Sequence, residues 1–275
     1  MDGAKAKNVV IVLLLAFNIF LLFINLTFVR GEGIRKETIE NTQAILSQRG
    51  VTLECSIPTA SNALNRLEYT IEKLDRNSIA MRLLGGQFEV SNQGDEFFHE
   101  SKKLRFISDT QYEFTDSQPG SNVDLTSDER ARRAAQSFLK DSGTLDGGKY
   151  IEDGLTRNQD GSVTVAFVES YEGYLIFDNY CIVTLDQKGV RQLLRGRLQV
   201  KGFTVKSGER FEAYQALLAR FKMGSSVVIT AIDSGYKLEE AMTDGVESVE
   251  MLPAWRVTVK GKSEPLYLYP HVSEE

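Results

Sequence analysis

Residues 163–200 read VTVAFVESYEGYLIFDNYCIVTLDQKGVRQLLRGRLQV, and their periodicity is that of a β-meander. Val163, Val165 and Phe167 alternate with smaller or more polar residues, the period-two signature of a half-buried strand. Residues 180–185 and 190–200 form two more such runs around the turn Asp186-Gln187-Lys188-Gly189. On the upstream side, residues 150–156 lead into the turn Asn158-Gln159-Asp160-Gly161. A helix comes before them all: Thr126 and Glu129 fit a capping box, Ala131, Ala134, Ala135, Phe138 and Leu139 follow helical spacing, and the stop falls near Asp141-Ser142-Gly143. Strands joined by short turns pair antiparallel, since parallel neighbours need a crossover between them. The expected class is therefore α+β with antiparallel sheets.

The same order recurs downstream. Phe211, Tyr214, Leu217, Leu218 and Phe221 make one stripe of a helix over 209–222, residues 227–233 are a β-branched run, and 255–259 and 266–269 close the chain as strands. Two helix-plus-strands units are expected, at 126–203 and 207–271. Upstream, residues 116–124, with Ser117, Pro119, Gly120 and Ser121, read as a linker that divides the folded part into 30–119 and 120–275. Within 30–119, residues 35–49 predict a helix stopped by Gly50. Leu64, Leu67, Ile71 and Leu74 predict an amphipathic helix over 61–76. Short strands are expected at 79–84, 87–90, 96–99, 104–107 and 111–114.

Ahead of all this lies an uncharged stretch, residues 8–29, between Lys7 and Arg30. Its 22 residues would span roughly 33 Å as a helix, enough for a bilayer core. It is longer than a signal-peptide core and lacks an A-x-A-like exit, which predicts an uncleaved transmembrane anchor with residues 1–7 as a short cytoplasmic tail. Flanking positive charge is nearly balanced and does not by itself set the orientation. Asn18 and Asn25, seven residues apart, share a helix face. Facing another helix they could hydrogen-bond across the contact; alternatively Asn25 reaches the interface and Asn18 is a tolerated polar residue.

The net charge is -6, of which residues 1–30 contribute +2, leaving -8 on the remainder. An acidic exterior of this kind argues against nucleic acid as a partner. No cofactor and no metal site are expected: the two histidines, His99 and His271, have no ligand spacing around them, and Cys55 and Cys181, 126 residues apart, read as unpaired thiols, with a disulfide between them as the alternative. Ser137-Phe138-Leu139-Lys140 fits S-x-x-K, but its companion motifs Ser-Asp-Asn and Lys-Thr-Gly are absent, which argues against catalysis. Aromatic residues are the distinctive feature that remains. Tyr171, Tyr174, Phe177 and Tyr180 crowd one segment and Trp255, Tyr267 and Tyr269 another. They are core residues if buried and interface anchors if exposed, with Tyr171, Tyr174 and Trp255 the candidates.

The stretch Ala16-Phe17-Asn18-Ile19-Phe20-Leu21-Leu22-Phe23 after a lysine-bearing start resembles the anchor of YycI-type regulatory proteins. The segment from Tyr171 through Phe177-Asp178-Asn179 to Gly189, and the pair Leu252-Pro253-Ala254-Trp255-Arg256-Val257 and Tyr267-Leu268-Tyr269-Pro270, resemble that family's exterior strands. The resemblance implies a non-enzymatic accessory protein of Gram-positive bacteria, anchored once, with an exterior related to PepSY-like modules. Its implied partners are a YycH-like protein and a membrane sensor histidine kinase of the WalK type, whose response regulator controls cell-wall metabolism. The alternative is an extracytoplasmic PepSY-like binding or inhibitor module for a protease or wall enzyme.

Overall fold

A computed structural model of the chain describes residues 13–20, 34–59, 62–63, 65–145, 147–205, 210–238, 248–262 and 264–270. Helix α1 covers residues 13–20, with Leu13, Phe17 and Phe20 exposed. Among the described residues no helix is long and apolar enough to cross a membrane. The rest of the expected anchor, Asn25 included, lies outside the described residues.

Helix α2 (Lys36–Gln48) follows as the sequence predicts, stopped by Gly50 at φ 86°, and leads into strand β1 (Val51–Leu53), which is not among the expected strands. The next segment departs from expectation. Of the expected helix over 61–76, the described residues before Arg76 hold instead the strands β2 (Asn62–Ala63) and β3 (Arg66–Thr70), and residues 79–84, expected as a strand, belong to helix α3 (Arg76–Leu84). In β3, Leu67 and Tyr69 are buried while Arg66, Glu68 and Thr70 are not, so period two prevails over the helical spacing of the leucines. Asp75 starts α3 by accepting a hydrogen bond from the Ser78 N–H at 3.1 Å.

Strands β4 (Glu89–Val90), β5 (Glu96–His99), β6 (Lys102–Phe106) and β7 (Gln111–Asp116) form an antiparallel meander behind α3. Helix α4 (Asp128–Asp141) is followed by a second meander: β8 (Tyr150–Arg157), β9 (Val163–Tyr171), β10 (Tyr174–Asp186) and β11 (Gly189–Gly196). Ser127, not Thr126, caps α4, accepting from the Arg130 N–H. The two meanders join through their last strands, β7 pairing antiparallel with β11, so one sheet runs across the division expected near residue 119. One core lies beneath both helices. Ile79, Leu83 and Leu84 of α3 and Ala131, Ala135 and Leu139 of α4 pack on Phe97, Leu104, Phe114, Val165, Val183 and Leu193 of the sheet.

The run at 190–200 is two strands rather than one, because β12 (Gln199–Val205) leaves for a small sheet in the order β12-β3-β15. Strand β13 (Arg210–Phe211), helix α5 (Ala213–Arg220), β14 (Val227–Tyr236), β15 (Ser248–Met251), β16 (Pro253–Val259) and β17 (Leu266–Leu268) complete the chain. A second core gathers Leu46 of α2, Ala213 and Leu217 of α5, Ile229 of β14, and Trp255 and Val257 of β16. Arg49 ties the two helices together, donating to the carbonyls of Leu218 and Phe221 at 2.7 Å each. Antiparallel pairing dominates the twelve-stranded sheet, but β14 pairs parallel with both β1 and β10.

Strand β10 belongs to both halves. Leu175 and Ile176 pair with β14 on one side and β9 on the other, the register then breaks between Ile176 and Tyr180, and residues 180–186 continue between β9 and β11. A bulge of this kind bends the strand and increases its twist. The small sheet packs over the bend through Leu67, Tyr69, Val249 and Met251, which meet Ile176 and Tyr236.

Candidate functional site

The bend in β10 turns two sheet faces that carry no helix toward each other. Along β9, β10 and β11 the residues pointing away from α4 are Ala166, Ile182 and Leu194, a cross-strand row only partly buried. On the other half, Trp255 and Val257 point into the core beneath α5, which sends Arg256 to the opposite face. Between the faces lies a cleft of about 620 Å³, lined on one wall by Ala166, Tyr180, Ile182 and Leu194 and on the other by Phe177, Lys237, Arg256, Pro265, Tyr267 and Tyr269. Asp153 and Glu264 stand at its polar margin.

Both cations of the cleft are paired. Arg256 donates two hydrogen bonds of 2.6 Å to Asp153 and one of 2.9 Å to Asp233, while its guanidinium lies 4.7 Å from the centre of the Phe177 ring. Burial works against the charge on Arg256, but the two carboxylates outweigh it and push the pKa further above its ordinary value. Lys237 is bonded to Asp178, whose other oxygen accepts the Leu238 N–H at 2.6 Å. Tyr267 packs on Phe177 with ring centres 5.3 Å apart. Burial, with help from Asp178, pushes its phenol up to about 12 despite the nearby Arg256.

Behind the bulge a buried polar chain holds the bend in place. Asn179 is fully buried; its side-chain N–H groups donate to the Leu198 carbonyl at 2.8 Å and to Glu169 at 2.5 Å, and its oxygen accepts the Leu198 N–H. Arg195, 1% exposed, donates to the Tyr150 hydroxyl at 2.6 Å and to the Cys181 sulfur at 3.0 Å. Burial raises the Cys181 thiol pKa in spite of that guanidinium, so the sulfur is a neutral packing group. Both cysteines are free.

The aromatic candidates divide by burial. Trp255 is 1% exposed and its indole N–H donates to the Phe211 carbonyl at 3.0 Å, so it is a core residue and not a surface anchor. Tyr171 and Tyr174 flank the β9–β10 turn, where Glu172 and Gly173 both adopt positive φ, and their half-buried rings rest on Phe203 at 5.9 Å each. Asn18 donates to the Leu14 carbonyl within its own helix at 2.8 Å. Ser137 bonds Asp141 at 3.2 Å, and both it and Lys140 are exposed on α4. Among the described residues no group of three His, Cys, Asp or Glu side chains is placed to hold a metal ion. The sequence missed Asp153, Lys237 and Arg256. Asp153 and Arg256 lie 103 residues apart, and no local pattern signals a pairing over that separation.

A second recess of about 720 Å³ lies on the same sheet face and is lined by Lys103, Thr115, Thr184, Arg191 and Gln192 among others. It is polar and open, and two of its cations are already paired, Lys103 with Glu96 and Arg191 with Asp186. The cleft, with an apolar floor between two walls, is the better formed site.

A family model described as YycI protein matches residues 31–268. No curated protein matches the chain. Among solved structures, the crystal structure of YycH from Bacillus subtilis is similar, with a TM-score of 0.52 and 13% sequence identity. The similarity covers 76% of this chain and 53% of YycH, so the chain spans about half the length of that protein. At this identity the likeness is one of fold.

Proposed function

The chain belongs to the YycI family, and on that premise we propose that it is a membrane-anchored, non-enzymatic regulator of a sensor histidine kinase that controls cell-wall metabolism. The observation that carries this reading is the family match over nearly all of the chain that follows the apolar stretch. The YycH-like fold supports it further, and a YycH-like protein is the proposed second partner. In this reading residues 8–29 anchor the chain, residues 1–7 face the cytoplasm, and the large sheet lies outside. The anchor touches the kinase through the face of Asn18 and Asn25. Asn18 uses one N–H on Leu14, and a carboxamide has a second N–H and an oxygen to offer a neighbouring helix.

Replacing both residues, Asn18→Leu with Asn25→Leu, is expected to reduce co-purification of the kinase and to change its output. Unchanged recovery and unchanged output would remove the transmembrane contact from the mechanism. The cleft between the sheet halves favours a second reading, a PepSY-like binding or inhibitor module that acts on a protease or wall enzyme. In that case cleft variants alter the enzyme's activity while kinase recovery stays at the level of the unaltered chain.

A further inference from the structure

We propose that the cleft beside the β10 bend binds an extended segment of a partner protein in which an apolar or aromatic side chain stands next to a basic one. Shape and charge point to this class independently.

The floor row Ala166, Ile182 and Leu194 is apolar and only partly buried, and the helices that cover the rest of the sheet lie on its other face. Apolar side chains entering from a ligand would complete its burial, at roughly 25 cal/mol per Å² removed from water. The hydroxyls of Tyr180 and Tyr267 line the same space, and among the described residues neither is hydrogen-bonded. Phenols beside an apolar floor suit a peptide, whose backbone amides need partners wherever its side chains are buried.

Charge fixes the rest. The cleft is lined by two carboxylates, Asp153 and Glu264, and two cations, Lys237 and Arg256, and Asp178 and Asp233 beside it neutralise the cations further. Both cations are committed to carboxylates, so an acidic ligand meets no free positive group. Glu264 is different: it is exposed on the rim and, among the described residues, makes no ion pair. A lysine or arginine placed there gains a counter-charge without displacing an existing one. The inference goes beyond the kinase reading, because peptide binding is measured on the purified protein and kinase output in cells.

The experiment is selection of phage-displayed random dodecapeptides on the purified full-length chain, followed by binding measurements on a synthesised winner. Enriched sequences should place Lys or Arg within two residues of Leu, Ile, Phe or Tyr. Glu264→Lys, at an exposed position that does not threaten folding, should weaken the winner about tenfold, which is about 1.4 kcal/mol. Ile182→Asp should weaken it by at least as much. Changing the peptide's basic residue to Glu should have the same effect as Glu264→Lys. Enrichment of acidic sequences, failure to enrich any sequence, or binding indifferent to both Glu264→Lys and Ile182→Asp would overturn the proposal.

Discussion

Asn179 bonds the backbone of Leu198 in both directions and also reaches Glu169, all from a fully buried position at the bulge of β10. Removing its carboxamide strands a buried N–H and a buried carbonyl at once. Asn179→Ala should therefore cost about 3 kcal/mol, read as a fall in the urea midpoint at unchanged slope. Two glycine and tyrosine features act at the same place. A Cβ on Gly196 would stand 2.5 Å from the Asp178 carbonyl, so only glycine lets β11 approach the bulge. Tyr150 and Tyr267 are both pushed up to about 12, chiefly by burial, against about 10 in an unfolded chain. The folded state holds these protons more tightly. Their contribution is thus complete below pH 10 and is lost as pH rises toward 12. Tyrosinate absorbance should show both among the late-titrating phenols, together with Tyr69, Tyr112, Tyr180 and Tyr236, which burial also raises, and Tyr267→Phe should remove one late phenol and lessen the alkaline loss of stability.

The exchange of helix and strand in the segment 61–84 shows what decides an element when two periods compete. Leu64, Leu67, Ile71 and Leu74 are spaced like a helix stripe, yet β3 pairs on one side with β12 and on the other with β15. Those partners come from much later in the chain, and they bury Leu67 and Tyr69 completely. Burial from both neighbours outweighs a weak local preference, since single-residue propensities differ by less than about 1 kcal/mol. Leu67→Ala should cost about 3 kcal/mol, whereas Met81→Ala, on the exposed side of α3, should leave the thermal midpoint nearly unchanged. The elements read correctly, α2, α4 and the 163–196 meander, are those whose stripes, stops and turns agree with the contacts they make.

Across the whole molecule, β10 makes one body of two cores. The chain's single tryptophan, Trp255, lies in the second core, so it reports on damage to the first only if the two unfold together. Leu193→Ala, in the first core, should lower stability by about 3 kcal/mol and shift the fluorescence and circular-dichroism transitions by the same amount. Separate transitions would mean that the halves unfold independently. The sequence alone determined the α+β class, the meander and most helices, because periodicity and turn chemistry are properties of residues close together along the chain. It also marked Phe177, Tyr180, Tyr267 and Tyr269 as an unusual aromatic set, though not what they surround. Only the tertiary structure joined β7 to β11, buried Trp255, and brought Asp153 to Arg256 across the cleft. Those outcomes depend on which sheet faces meet after the chain folds back on itself, and a local pattern carries no record of a partner 103 residues away.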